Sequence, residues 1–183
     1  FRYQQSDVPL AERPEIDRWI ISLLNSLIQT VEEAYASYEP PRVARAIQEF
    51  VDEHLSNWYV RLCRRRFWRG ELNTDKLAAY QTLYRCLEVI SQLMAPIAPF
   101  YAERLFRDLN ETTGREAAAS VHLALFPKAD GGLIDTALEQ RMQLAQDICS
   151  MVLSLRKKEN IRVRQPLQKI LVDGKFQALL ADL

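Results

Sequence analysis

An antiparallel bundle of long helices, mainly α, with a short truncated α/β element at the C terminus is the fold this sequence predicts. Three observations carry it. Apolar residues return every three or four positions over stretches of about twenty residues, the period of one helix face. Only five glycines occur in 183 residues and the eight prolines are clustered, which suits long helices better than a many-turned β fold. After Glu159 the helical rhythm gives way to alternation, the period of a strand.

Each element follows from local chemistry. Pro14 opens the first helix, where a missing N–H costs nothing. Ile16, Trp19, Leu23, Leu27, Val31, Tyr35 and Tyr38 form its stripe, and Pro40-Pro41 ends it. Val43, Ile47, Val51, Leu55, Trp58 and Leu62 mark a second helix, expected to run unbroken to Gly70. At 1.5 Å per residue it would be roughly 40 Å long. Asn73-Thr74-Asp75 supplies N-cap chemistry for a third helix carrying Leu77, Tyr80, Tyr84, Leu87, Ile90 and Met94. Pro96 and Pro99 interrupt it, and Phe100 to Asn110 form a fourth. Between Glu111 and Gly132 the period lapses; Ser120–Phe126 reads as extended up to Pro127, and Gly131-Gly132 as a loop. A fifth long helix carries Ile134, Leu138, Ala145, Ile148, Val152 and Leu155. Residues 161–164 and 169–172 alternate like short strands, and Gly174 leads into a final helical stretch. The expected organisation is a linker at 1–13, a helix bundle at 14–110, a connection with one extended segment at 111–133, a long helix at 134–160, and the start of a small α/β subdomain at 161–183. No internal repeat or low-complexity tract occurs.

Composition excludes several classes of function. Apolar residues make up 48% and charged residues 26%, ordinary values for a globular chain with a real core. Lys and Arg total 24, as do Asp and Glu, which argues against a histone-like coat protein or an acidic tail. No apolar run approaches the length of a membrane span, and the polar N terminus is no secretory leader. The first residue is Phe, so the chain reads as an excised piece of a longer one. Cys63, Cys86 and Cys149 are far apart and form no CxxC pair, consistent with reduced thiols in a reducing compartment and a cytoplasmic location. Without a leader, the Asn110-Glu111-Thr112 sequon is read as chance. Neither His54 nor His122 has a metal-ligand neighbour at the required spacing, and no phosphate-cradling glycine motif or nucleophile elbow is present. The chain alone is expected to be non-catalytic, without a cofactor or metal of its own.

Charge is nonetheless segregated. Residues 1–53 carry five basic and ten acidic groups, a balance of −5. Residues 54–70 carry five arginines and no acid. Residues 71–140 have six basic against ten acidic groups, and 141–183 have eight against four. Of the basic residues 18 are Arg and 6 are Lys, and Arg is the better residue for bidentate phosphate contact and for stacking on bases. At 100° per residue, Asn57, Arg61, Arg64 and Trp68 fall within about 60° of one another, with the stripe of Val51, Leu55, Trp58 and Leu62 roughly 120° away. One side would pack, and the other would offer an amide, two guanidiniums and an indole, a set that suits an unpaired RNA loop. The competing reading is a solvated basic face paired with acids of the first helix such as Glu32 and Glu33, with Trp68 in the core. A second basic cluster lies at Arg156–Arg164. Its cations would favour the negative end of a helix dipole, but Arg162 and Arg164 lie beyond that helix and are open to phosphate.

Four blocks, LSNWYVRLCRRRFW, LMAPIAPFYAERLF, SVHLALFP and RVRQPL, occur in an order and spacing that resemble the anticodon-binding region of the isoleucyl-tRNA synthetase family, from about Glu12 onward. The first block discriminates most. Valyl relatives carry an acidic CDWYIE-like version there, where this chain has Asn57 and Arg61. The SVHL block resembles the branch that includes eukaryotic cytosolic and some bacterial enzymes. The resemblance implies a class I synthetase helix bundle that grips a tRNA anticodon stem and loop and holds the acceptor end toward a catalytic domain. Related methionyl enzymes read anticodon bases with an Asn-x-x-x-Arg pair, a role implied for Asn57 and Arg61. Stacking is implied for Trp68, and tRNA contact for Arg64, Arg65, Arg162 and Arg164. The partners implied are isoleucine tRNAs and the catalytic and editing domains of the same polypeptide. The HIGH and KMSKS signatures that bind ATP are absent here; His54-Leu55-Ser56-Asn57 lacks the glycine that would let a nucleotide approach. ATP with magnesium is therefore implied for the whole enzyme and not for this chain, and zinc for a tail region not found here. A valyl or leucyl counterpart, or a helical protein-interaction module meeting an acidic partner, is the alternative.

Overall fold

The structure, a computed structural model, describes residues 5–174. Two compact units divide the chain, Phe1–Ile134 and Asp135–Leu183.

In the first unit α1 (Glu15–Ala36) is the central helix. Trp19, Ile20, Leu24, Ile28 and Val31 are each almost wholly buried. The expected stripe was one face only; burial of Ile20, Ile21, Leu24 and Ile28 beside Trp19, Leu27 and Val31 shows a helix enclosed on several sides. The stripe ends before Tyr38, which is 92% exposed and has a positive φ of 55°. Pro40-Pro41 both separates α1 from α2 (Pro40–Glu49) and occupies the first turn of α2, where the missing N–H groups are not needed.

The second helix is not the unbroken rod expected. From α2 it continues as a wider π-type segment, Phe50–Val60, then bends at Cys63 (φ −80°, ψ 2°) before a short α3 (Arg64–Trp68). The wider turn changes which residues face inward. Phe50, Leu55, Tyr59 and Cys63 are buried, whereas Leu62 is 57% exposed and Val51 and Trp58 are only half-buried. Spacings of five, four and four suit i→i+5 hydrogen bonding, not the 3.6-residue period.

Helix α4 (Thr74–Met94) begins as its sequence predicts, with the Asn73 side chain accepting from the Lys76 backbone N–H at 2.8 Å. Its small buried residues Ala78, Ala79, Cys86 and Ser91 permit close packing. Residues before α1 are tied to it: Gln81 accepts from Val8 N–H at 2.8 Å and donates to the Ser6 carbonyl at 3.0 Å. Pro96 and Pro99 turn the chain into α5 (Pro99–Thr113), which Gly114 closes in the left-handed conformation (φ 61°). The segment expected to be extended at Ser120–Phe126 instead contains a single 3-10 turn, Val121–Leu123, started by Ser120. The turn drops Val121 into a small cluster with Ala95, Ala102 and Phe106, and a helix-side cluster needs one inward side chain, not an alternating strand.

In the second unit α6 (Thr136–Lys158) starts at Asp135, whose carboxylate accepts from Leu138 N–H at 2.9 Å. It ends in a Schellman turn: Asn160 has φ 53°, and Ile161 N–H reaches the Arg156 carbonyl at 2.8 Å. The strands expected at 161–164 and 169–172 are absent among the described residues. Arg156 Nη1 instead donates to the carbonyls of Arg162 and Gln165, at 2.8 and 2.9 Å, folding that stretch into a turn. An isolated pair of short strands is marginal without further partners. The helical stretch expected after Gly174 lies outside the described residues.

Candidate nucleic-acid interface

Helix α3 has five residues, Arg64-Arg65-Arg66-Phe67-Trp68, too few to be stable alone. Its inner side is held by the bundle. Arg66 makes a two-pronged pair with Asp17 of α1, Nη1–Oδ1 at 2.7 Å and Nη2–Oδ2 at 2.8 Å. Its Nε donates to Asp75 Oδ2 at 3.0 Å, Nη2 donates to the Asp75 carbonyl at 3.0 Å, and Nη1 faces Cys63 Sγ at 3.4 Å. All five guanidinium hydrogens are thereby used. Asp17 has no solvent exposure and also accepts from the Tyr59 hydroxyl at 2.8 Å. Phe67 rests edge-on against Tyr59 and Tyr80, and the Tyr80 hydroxyl donates to the Phe67 carbonyl at 3.1 Å. The chain beyond α3 is held by Lys76 Nζ on the Gly70 carbonyl at 3.1 Å.

This centre is electrostatically settled. Burial opposes the Arg66 charge, but hydrogen bonds to Asp17 and Asp75 outweigh it and raise its pKa above the ordinary arginine value. Burial first, and then the Asp17 charge, push the Tyr59 phenol up, so it stays a neutral donor. Burial likewise raises the Cys63 thiol, against the pull of Arg66.

The outer side differs. Arg61, Leu62, Arg64, Arg65, Trp68 and Arg69 line an open hollow of about 410 Å³. Among the described residues none of these four arginines makes an ion pair. Trp68 is 77% exposed, so it is not a core residue. An exposed indole among unpaired guanidiniums suits stacking on a base while cations hold phosphates. The structure therefore brings together Arg61, Arg64, Arg65 and Trp68. Asn57 is exposed on the preceding π-type segment but does not line the hollow. Arg162 and Arg164 are exposed in the second unit, in the turn that Arg156 folds.

Sequence reasoning placed the five arginines of 54–70 together; the structure separates Arg66 from the rest. The acids that pair with this stretch are Asp17 and Asp75, whereas Glu33 pairs with Arg42 at 3.8 Å. A signal for Asp17 was present: a carboxylate between Ile16 and Trp19-Ile20 on an apolar helix needs a cation of its own. Arg69 was also unassigned. No group of three His, Cys, Asp or Glu among the described residues could hold a metal ion, and no described helix is long and apolar enough to cross a membrane.

The chain is 60% identical over 172 residues to the isoleucine–tRNA ligase of Bacteroides thetaiotaomicron, covering 94% of this chain and 15% of that protein. It is 56% identical to the isoleucine–tRNA ligase of Cytophaga hutchinsonii, covering 94% of this chain and 16% of that protein. With the Thermus thermophilus counterpart it shares 44% identity over 164 residues, 90% of this chain and 16% of that protein. The chain thus spans about 15% of the length of the first curated relatives it matches. Residues 17–171 match the family described as the anticodon-binding domain of tRNA ligase, and the chain belongs to that family.

Proposed function

We propose that this chain is the part of an isoleucine–tRNA ligase that holds the anticodon stem and loop of isoleucine tRNAs, acting by position and not by chemistry. The observation that carries this is the hollow of four arginines, none of them ion-paired among the described residues, around an exposed Trp68. Arg61, Arg64 and Arg65 contact phosphates or base edges, and Trp68 stacks on an unpaired base. Asn57 with Arg61 reads anticodon bases, following the Asn-x-x-x-Arg resemblance, and Arg162 and Arg164 add phosphate contacts. In the whole protein, catalytic and editing domains on the same polypeptide attach isoleucine to this tRNA with ATP and magnesium in the cytoplasm. The isoleucine–tRNA ligase relatives at 56 to 60% identity support isoleucine over valine or leucine.

The test is filter binding of an isoleucine tRNA transcript to the full-length ligase. Arg61→Ala and Arg64→Ala should each weaken binding by roughly 1–3 kcal/mol. Arg104→Ala, which removes an exposed pair with Asp108 on α5, should leave it unchanged. Unchanged affinity when Arg61 and Arg64 are both replaced sinks this reading.

A further inference from the structure

We infer that Arg66 is a positioning residue for RNA binding, and that Asp17 and Asp75, two acids that would repel a phosphate, promote tRNA binding by fixing the orientation of α3. This rests on the reading of the hollow as the tRNA site. In sequence Arg66 is indistinguishable from its neighbours in Arg64-Arg65-Arg66, yet its side chain is only 17% exposed and turned into the bundle. A five-residue helix cannot hold its own axis. What fixes α3 is its inner side: the fork on Asp17, the Nε contact to Asp75, and Phe67 under the Tyr80 hydroxyl. Successive helical residues differ by 100°, so fixing residues 66 and 67 inward fixes Arg64, Arg65 and Trp68 outward. The bend at Cys63 leaves the π-type segment little leverage over that direction. The clamp draws on both neighbours, since Asp17 lies on α1 and Asp75 in the first turn of α4.

The charges make the inference testable by sign. Asp75→Asn removes a negative charge beside a basic surface. By simple attraction it should tighten tRNA binding; by loss of positioning it should weaken it. Asp75 is about half exposed, so this variant keeps the core, and Asp17→Asn is the more drastic companion. Filter binding of the isoleucine tRNA transcript to the full-length ligase, well below the melting temperature of each variant, should show weakening of about fivefold or more for Asp75→Asn and more for Asp17→Asn. Arg66→Lys keeps the charge but loses the fork, and should also bind weakly. Affinity that is unchanged or tighter in Asp75→Asn, while Arg61→Ala and Arg64→Ala still weaken binding, overturns the positioning role alone. Affinity unchanged in all of these variants overturns it together with the proposed site.

Discussion

Asp17 is a carboxylate with no solvent exposure, and two neighbours make that tolerable. The stronger is Arg66, whose two-pronged pair supplies charge and geometry together. Removing it leaves a buried charge unpaired, which costs far more than the pair itself contributes. Arg66→Met should therefore lower unfolding stability by about 3–5 kcal/mol. Tyr59→Phe removes one neutral donor while the fork remains, and should cost about 1–2 kcal/mol. Urea melts check both, and equal losses would contradict the ranking. This centre was half legible in the sequence. The acid in the apolar face of α1 announced a need for a partner; nothing in three consecutive arginines says which one turns inward. That choice is made by the bend at Cys63, a backbone feature with no compositional signature.

At the scale of elements, the helices that follow a 3.6-residue period were legible, because burial alone sets their pattern. Helix α4 is the plainest case, with its cap at Asn73 and its end before Pro96. The π-type segment was not, since Val51 and Leu62 fit an ideal helix as well as Phe50 and Cys63 fit a wider one. The turn at Val121–Leu123 was missed for another reason: its determinant is a distant acid. Glu103 on α5 accepts from Ser120 Oγ at 2.8 Å and from Val121 N–H at 2.9 Å. The Ser120 hydroxyl first, then the backbone N–H, hold its carboxyl below the ordinary glutamate value. A folded pKa below the unfolded one means this support is complete above about pH 4.3 and is lost as pH falls through the lower folded value. The Val121 amide should lose hydrogen-exchange protection in that acid window, and in Glu103→Ala the loss should be present already at neutral pH. A Val121 amide as well protected in Glu103→Ala as in the unsubstituted protein at pH 7 would show that the carboxylate does not hold the turn.

Across the whole molecule, a net charge of zero conceals an alternation of negative and positive stretches along the chain. The structure sharpens this further, because the positive stretch at 54–70 is itself divided. Arg66 is internally neutralised, and Arg61, Arg64, Arg65 and Arg69 make no ion pair among the described residues. Salt distinguishes the two groups. Phosphate contacts release counterions, at 0.7–0.9 per contact in the log–log slope, so these four contribute about −3 to it, and any contact by Arg162 and Arg164 steepens it further. Raising salt from 50 to 200 mM should then weaken tRNA binding by at least about 50-fold, and replacing any one of the four by Ala should lower the slope by about one. The same change should barely move the melting temperature, because the Arg66–Asp17 pair is shielded from mobile ions by burial. A protein-interaction module meeting an acidic protein partner would not require such a slope with a tRNA stem-loop. A tRNA affinity indifferent to salt would mean that the outer arginines are solvated ornaments of the fold, and that the segregation of charge has some other purpose.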